Sequence, residues 1–282
     1  MIPSIICSLS EAWRFCPWGI MVTDKEAVDF IPYAKQVYSI LRDVGAIERV
    51  KDWLARRTSQ QVLVLGASGA GKSSFLNLLS GENPSITRLE RTTKSRTVTG
   101  KIENSYFRLM DTPGQPDAVY RHERRRAILE SAKERRLGII NVVAYGYHEE
   151  TIKLSEAVTN KSARETFLND RRKLEMDLLA EWNDLLCGEG GAAAWLVTVV
   201  TKADLWWTAS AEEPALSYYQ TGPYFEALGA ARRLPHDVRS YSSQNQLFYN
   251  KVPMSGFYTD EQRASDHSRL IAKLLENASL QA

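Results

Sequence analysis

Gly66-Ala67-Ser68-Gly69-Ala70-Gly71-Lys72-Ser73 decides how the rest of the chain is read. Before it runs the apolar, β-branched Val62-Leu63-Val64-Leu65, and after it Ser74-Phe75-Leu76-Asn77-Leu78-Leu79 reads as a helix. Strand, glycine-rich turn and helix start, in that order, is the context in which Gly-x-x-x-x-Gly-Lys-Ser has a mechanism. Gly66, Gly69 and Gly71 let the backbone close around phosphates. The N–H groups of the loop, through Ser68 and Ala70 to Ser74 in the first helical turn, then face an anion. Lys72 reaches terminal phosphates, and Ser73 places a hydroxyl on magnesium. A Gly/Ala/Ser turn that ends in Lys-Ser by chance would not need both flanking elements. The spacing implies a nucleoside phosphate ligand.

Length and composition agree with a globular protein. The 282 residues suffice for one large domain or one domain with an extension, and 44% apolar with 25% charged residues is ordinary. A net charge of +2 gives no global pull toward nucleic acid or anionic lipid. The 3 cysteines (Cys7, Cys16, Cys187) lack metal spacing and suit a reducing compartment. No apolar run approaches the ~18 residues of a membrane span, and the opening residues lack the basic start of a secretory signal. The cytoplasm is the expected location.

Outward from the loop, strands and helices alternate. Residues 1–23 are apolar and aromatic but broken by Pro3, Pro17 and Gly19; residues 24–57 turn helical, with Gly45 as a break. An N-terminal arm and helical extension over 1–58 and a phosphate-loop domain over 59–282 follow. Past the loop helix, 81–96 is polar and basic. Strands are expected at 97–103, 106–110, 137–145, 194–200 and 237–241. Helices are expected at 118–136, after 161 (stripe Phe167, Leu174, Leu178, Trp182, Leu185), at 224–233, and at 259–277 with Leu270, Ile271, Leu274 and Leu275 inward. Pro214 and Gly222 mark a loop. The pattern predicts a three-layer α/β fold with a mostly parallel sheet.

Two strand ends add chemistry. Asp111-Thr112-Pro113-Gly114-Gln115 follows the strand at 106–110. There Asp111 can hold magnesium through water while Gly114 offers a backbone N–H to a terminal phosphate. Thr201-Lys202-Ala203-Asp204 follows the strand at 194–200, where ligands of open α/β sheets bind. A carboxylate at Asp204 accepts two hydrogen bonds from guanine and would go unpaired against adenine. The stem of Lys202 can lie on the base plane.

Together these stretches resemble the five-motif set of the translation-factor-related class of P-loop GTPases, nearest to Era-like and septin-like members. The resemblance covers roughly residues 60–245. It implies that GTP is bound with Mg2+ and hydrolysed to GDP and phosphate as a nucleotide-state switch. A slow, nucleotide-gated assembly protein is the alternative. It further implies a magnesium-binding threonine in the first switch loop, where Arg91-Thr92-Thr93-Lys94 makes Thr93 the leading candidate and Thr92 and Thr97 its rivals. The fifth motif, touching the guanine carbonyl, falls on Ser242-Ser243-Gln244, with Ser243 at its centre. Septin-like relatives pair across their nucleotide faces, which makes a homodimer through that face one expected partner, beside an unknown effector.

Departures from the family pattern matter too. Thr201 stands where asparagine is usual. Gly69 replaces the asparagine of potassium-activated Era-like enzymes, and Ser68 the glycine that admits an arginine finger in Ras-like ones. Gln115 occupies the place of the water-orienting glutamine of Ras-like enzymes. It is either that group, alongside Lys72 and Thr93 as catalytic candidates, or a solvated loop residue.

Other clusters carry less. Arg121, Arg124, Arg125, Arg126, Lys133, Arg135 and Arg136, interleaved with Glu123, Glu130 and Glu134, read as a solvated helix face with i,i+4 pairing. A partner surface is the rival reading, and nucleic-acid contact is not indicated. The four histidines show no metal spacing. Trp206-Trp207 reads as core or as shielding of the base.

Overall fold

In the first strand Val62 and Val64 point to one side of a sheet, Leu63 and Leu65 to the other, and all four are buried. That is the signature of a strand covered on both faces. The computed structural model describes residues 60–79, 94–102, 105–115, 117–133, 137–148, 161–208, 210, 213–242 and 255–279. The expected N-terminal extension and residues 81–93 of the first switch loop lie outside them.

In chain order the strands are β1 (Gln60–Leu65), β2 (Arg96–Ile102), β3 (Ser105–Asp111), β4 (Leu137–Val143), β5 (Ala193–Val200) and β6 (His236–Ser240). The helices are α1 (Lys72–Leu79), α2 (Ala118–Ser131), α3 (Lys161–Cys187), α4 (Ala203–Trp206), α5 (Pro214–Gln220), α6 (Pro223–Ala227) and α7 (Asp260–Ser279), with a 3-10 turn at Gly229–Arg233. The sheet order is β2-β3-β1-β4-β5-β6. The five strands β3, β1, β4, β5 and β6 run parallel, and β2 is antiparallel to β3 at the edge. The expected three-layer, mostly parallel architecture is what the chain adopts.

Each face of the sheet carries its own core. On one side Leu63, Leu65, Ile139, Val143, Leu196 and Val200 meet Ile128 of α2, Leu179, Trp182 and Leu186 of α3, and Tyr219 and Tyr224. On the other side Val62, Val64, Ile140, Val142, Val197 and Val199 meet Phe75, Leu76 and Leu79 of α1 and Leu270 and Leu274 of α7. Each such side chain contributes roughly 1.5–3 kcal/mol of burial. The two cores clamp the parallel strands, so that their carboxyl ends form one rigid edge.

Three expectations need correction. The buried residues of α3 are Leu168, Glu175, Leu179, Trp182, Asn183, Leu186 and Cys187, whereas Leu185 is exposed. The apolar pattern pointed to a neighbouring stripe because Glu175 and Asn183, both buried and hydrogen-bonded, count as surface residues in a hydrophobic reading. Residues 214–220 form α5 and not a loop, since Pro214 sits in its first turn, where the missing N–H costs nothing. The helix expected over 224–233 is split into α6 and the 3-10 turn at Gly229, whose φ is +47°.

Candidate functional site

The phosphate loop is shaped by close approach. Gly66 has φ +140°, and a Cβ on it would stand 2.1 Å from the Val142 carbonyl oxygen of β4. No other residue fits there without moving the neighbouring strand. Beyond it the chain turns into α1, whose first residue is Lys72. The Lys72 ammonium, only 6% exposed, folds back over the loop and donates to the carbonyls of Gly66 at 2.8 Å and Ala67 at 3.0 Å. Burial pulls its pKa down to about 8, against an opposing pull from Asp111 and with a smaller push from Arg124. Ser73 and Ser74 are half-buried in the first turn of α1.

Register brings the second loop alongside. Val64 of β1 pairs with Asp111 of β3, so β3 delivers its last residue next to the strand that leads into the cradle. Asp111 has no exposed surface. Thr112 donates its hydroxyl to the Val64 carbonyl at 2.9 Å. The Ser68 N–H donates to the Gly114 carbonyl at 2.9 Å. Gly114 lies so near the cradle that a Cβ there would be 2.5 Å from both Lys72 Nζ and Ser68 N. Gln115 is 3% exposed, and its Oε1 has no hydrogen-bond partner among the described residues. A solvated glutamine is therefore not what stands at this position.

The third loop closes the site from β5. Thr201 lies with its hydroxyl 2.6 Å from the Ala70 carbonyl and 2.9 Å from the Val143 carbonyl, and its single hydrogen serves either. The residue that replaces asparagine here thus still ties this loop to the phosphate loop. Lys202 follows with φ +57°, an uncommon conformation for a residue with a side chain. Asp204, buried in α4, accepts the Ser242 hydroxyl on Oδ1, and its backbone carbonyl accepts the Ser255 N–H at 2.9 Å. Trp206 is buried, with its indole N–H on the Thr201 carbonyl at 2.7 Å, and Trp207 tilts against Tyr258. The expected core role of the pair holds for Trp206.

The structure therefore gathers Gly66, Ser68, Ala70, Lys72, Gly114 and Thr201 around one cradle, continuous with Asp111 on one side and Asp204 on the other. Ser242 is the residue of the final turn that meets Asp204; Ser243 lies outside the described residues, as do Thr92 and Thr93. Thr97 is exposed on β2. Magnesium fits the donor set, because the Ser73 hydroxyl and the Asp111 carboxylate are hard oxygen ligands. Among the described residues no cluster of three His, Cys, Asp or Glu side chains forms a cage of its own. Such a pair matches an ion that keeps waters and phosphate oxygens for its remaining positions.

One residue was misread. The α2 face does expose Arg121, Arg125 and Arg126, and Arg126 pairs with Glu123 and Glu130, interactions worth little in water. Arg124, however, is 1% exposed and reaches the Asp111 loop. A signal was present: Arg124, Ala127, Ile128 and Ser131 are the buried residues of α2, spaced i, i+3, i+4 and i+7.

Comparison with known proteins agrees with this geometry. Residues 61–172 match the family model described as 50S ribosome-binding GTPase, a span that holds the cradle and the Asp111 loop. No curated protein matches the chain by sequence. The fold is similar to that of the chloroplast translocon components atToc33 and psToc159, for which dimerization is described as important for GTPase activity (TM-score 0.50, 15% identity, 93% of this chain and 98% of that chain). It is also similar to Toc33 from Arabidopsis thaliana in complex with GDP and Mg2+ (TM-score 0.47, 16% identity, 84% and 91%). A third similar structure is the Arl6 BBS3 small GTPase from Trypanosoma brucei with bound GppNp (TM-score 0.40, 13% identity, 77% and 99%). Over residues 61–172 the chain is thus similar to that GTPase family, and its fold is the α/β P-loop fold.

Proposed function

We propose that the protein binds GTP with Mg2+ and hydrolyses it to GDP and phosphate, its two nucleotide states forming a switch. The observation that carries this reading is the approach of Gly114 to Lys72 and Ser68, which supports a phosphate sensor lying against a phosphate cradle. Lys72 and the loop N–H groups would take up phosphate charge. Ser73 and Asp111 would hold magnesium, with Thr93 of the first switch loop as the remaining candidate; such an ion would neutralise charge on the phosphate oxygens. Gln115, buried and with no partner for its Oε1 among the described residues, would orient the water that attacks the γ-phosphorus as the bond to the β-γ bridging oxygen breaks. Asp204, Lys202 and Thr201, with Ser243 in the following turn, would bind guanine. Of the described helices, none is long and apolar enough to cross a membrane.

Calorimetry with GTP and with ATP in Mg2+ tests this. Tight GTP binding with at least a hundredfold preference over ATP is expected, on the order of what a hydrogen-bonding base site achieves. Equal affinities, or binding that survives Lys72→Ala, would sink it. The alternative of a slow, assembly-gating protein predicts negligible turnover in the same samples and a mass change between GDP and a non-hydrolysable analogue by light scattering.

A further inference from the structure

Arg124 is the only fully buried cation of α2, and its partners are unusual for a helix-face residue. Nη1 donates to the carbonyls of Pro113 at 2.9 Å and Gln115 at 3.1 Å. Nε and Nη2 donate to the two carboxylate oxygens of Glu181 on α3, at 2.8 Å and 3.0 Å. Arg121, itself exposed, stands 3.7 Å from the same carboxylate and is the next cation in line. A planar fork that satisfies a bidentate carboxylate and two carbonyls at once is arginine's geometry; a lysine ammonium has neither the span nor the plane.

The Pro113 carbonyl matters because of what shares its peptide plane. Pro113 C=O and Gly114 N–H belong to one rigid, trans peptide unit, so they point in opposite directions. Drawing the Pro113 carbonyl onto Arg124 turns the Gly114 N–H away from α2. On the next unit the Gly114 carbonyl is held by the Ser68 N–H. Both peptide planes flanking Gly114 are thereby set, one by α2 and one by the phosphate loop, and Gly114 retains little rotational freedom.

We propose that Arg124 is a positioning residue for the γ-phosphate contact: it aims the Gly114 N–H and anchors the Asp111–Gln115 loop, through Glu181, to α3. The inference rests on the GTP reading above and deepens it. Since GDP has no γ-phosphate, its affinity should be indifferent to this aim, whereas a merely structural arginine would affect both nucleotides alike. The same linkage runs the other way: displacement of the loop by a γ-phosphate pulls on Arg124 and so on the α2–α3 contact.

The test is titration of the full chain, with Mg2+, against GDP and against guanosine imidotriphosphate, for Arg124→Lys and Glu181→Gln. Arg124→Lys should weaken the imidotriphosphate about tenfold, a change of about 1.4 kcal/mol, and GDP by no more than about twofold. Glu181→Gln, half of whose acceptor fork survives at the partly exposed end of the pair, should shift the same ratio in the same direction by about threefold. It decides the matter should the lysine variant fail to fold. Equal losses for both nucleotides, no loss for either, or tighter imidotriphosphate binding would overturn the proposal. Failure of the unaltered chain to bind either guanine nucleotide would instead overturn the reading on which it rests.

Discussion

The two ends of the candidate site are built from different materials. At the phosphate end the groups that would touch ligand are mostly backbone: the loop amides from Gly69 to Ser73 and the N–H of Gly114, with Lys72 as the one side chain among them. At the base end the discriminating group would be a side chain, Asp204, whose carboxylate accepts the Ser242 hydroxyl and whose backbone carbonyl accepts the Ser255 N–H. Backbone groups depend on path, so this end needs glycines at 66 and 114, where a Cβ would strike Val142 or Lys72. A carboxylate depends on its partners, so the base end needs hydrogen bonds. Affinity for a polyphosphate and choice of base would thus be supplied by separable parts, joined where Thr201 reaches Ala70.

That division can be broken most visibly at Asp204. Asp204→Ala should lower GTP affinity by about a hundredfold or more, bringing it to the level of ATP, which itself should hardly change. If ATP affinity fell in parallel in calorimetry, the two ends would not be separable.

Thr201→Val probes the joint. It keeps the shape and removes one hydroxyl hydrogen shared between Ala70 and Val143, a loss of about 1 kcal/mol. Melting temperature should fall by a few degrees (about 2–4 °C per kcal/mol at this size), and GTP and ATP should weaken by a similar small factor. Selective loss of GTP would place Thr201 in base recognition and blur the comparison.

Proton linkage at Lys72 gives the smallest effect and the most specific sign. Its folded pKa of about 8 lies below the ordinary 10.5 because the ammonium is buried. Between these values the unfolded chain holds a proton that the folded chain has lost, so this group makes the ligand-free protein more stable as pH rises from about 8 toward 10.5. Phosphate binding needs the ammonium, and GDP affinity should decline as pH rises through 8. Melting and GDP titration at pH 7.0 and 8.5 should therefore move in opposite directions for the phosphate end. Parallel movement would mean that the ammonium is not the phosphate ligand.

Much of this was legible beforehand, for a local reason. A strand, a glycine-rich turn and a helix start lie next to one another in the chain, and Asp111, Gly114 and Asp204 fall where apolar runs stop. The failures share the opposite cause. Arg124 looks like its exposed neighbours Arg125 and Arg126 until α2 is laid on the sheet. Glu175 spoils the apolar stripe of α3, yet it is buried, accepting the Ala144 N–H at 2.9 Å and the Tyr219 hydroxyl. Pro214 reads as a breaker although it opens α5. A hydrophobic pattern treats every charge as a surface marker, and a buried charge is recognised only through its partner.

By itself the order of residues determined the α/β fold, the glycine-rich turn between β1 and α1 and the three strand ends at which the candidate site lies, because each is encoded in contiguous chain. Only the tertiary structure decided which groups close on one another: Gly114 against Lys72, Thr201 onto Ala70, Ser242 onto Asp204, and Arg124 between the Asp111 loop and α3. Those pairings depend on strand order and register, which bring together residues far apart in the chain, and no local pattern records that distance.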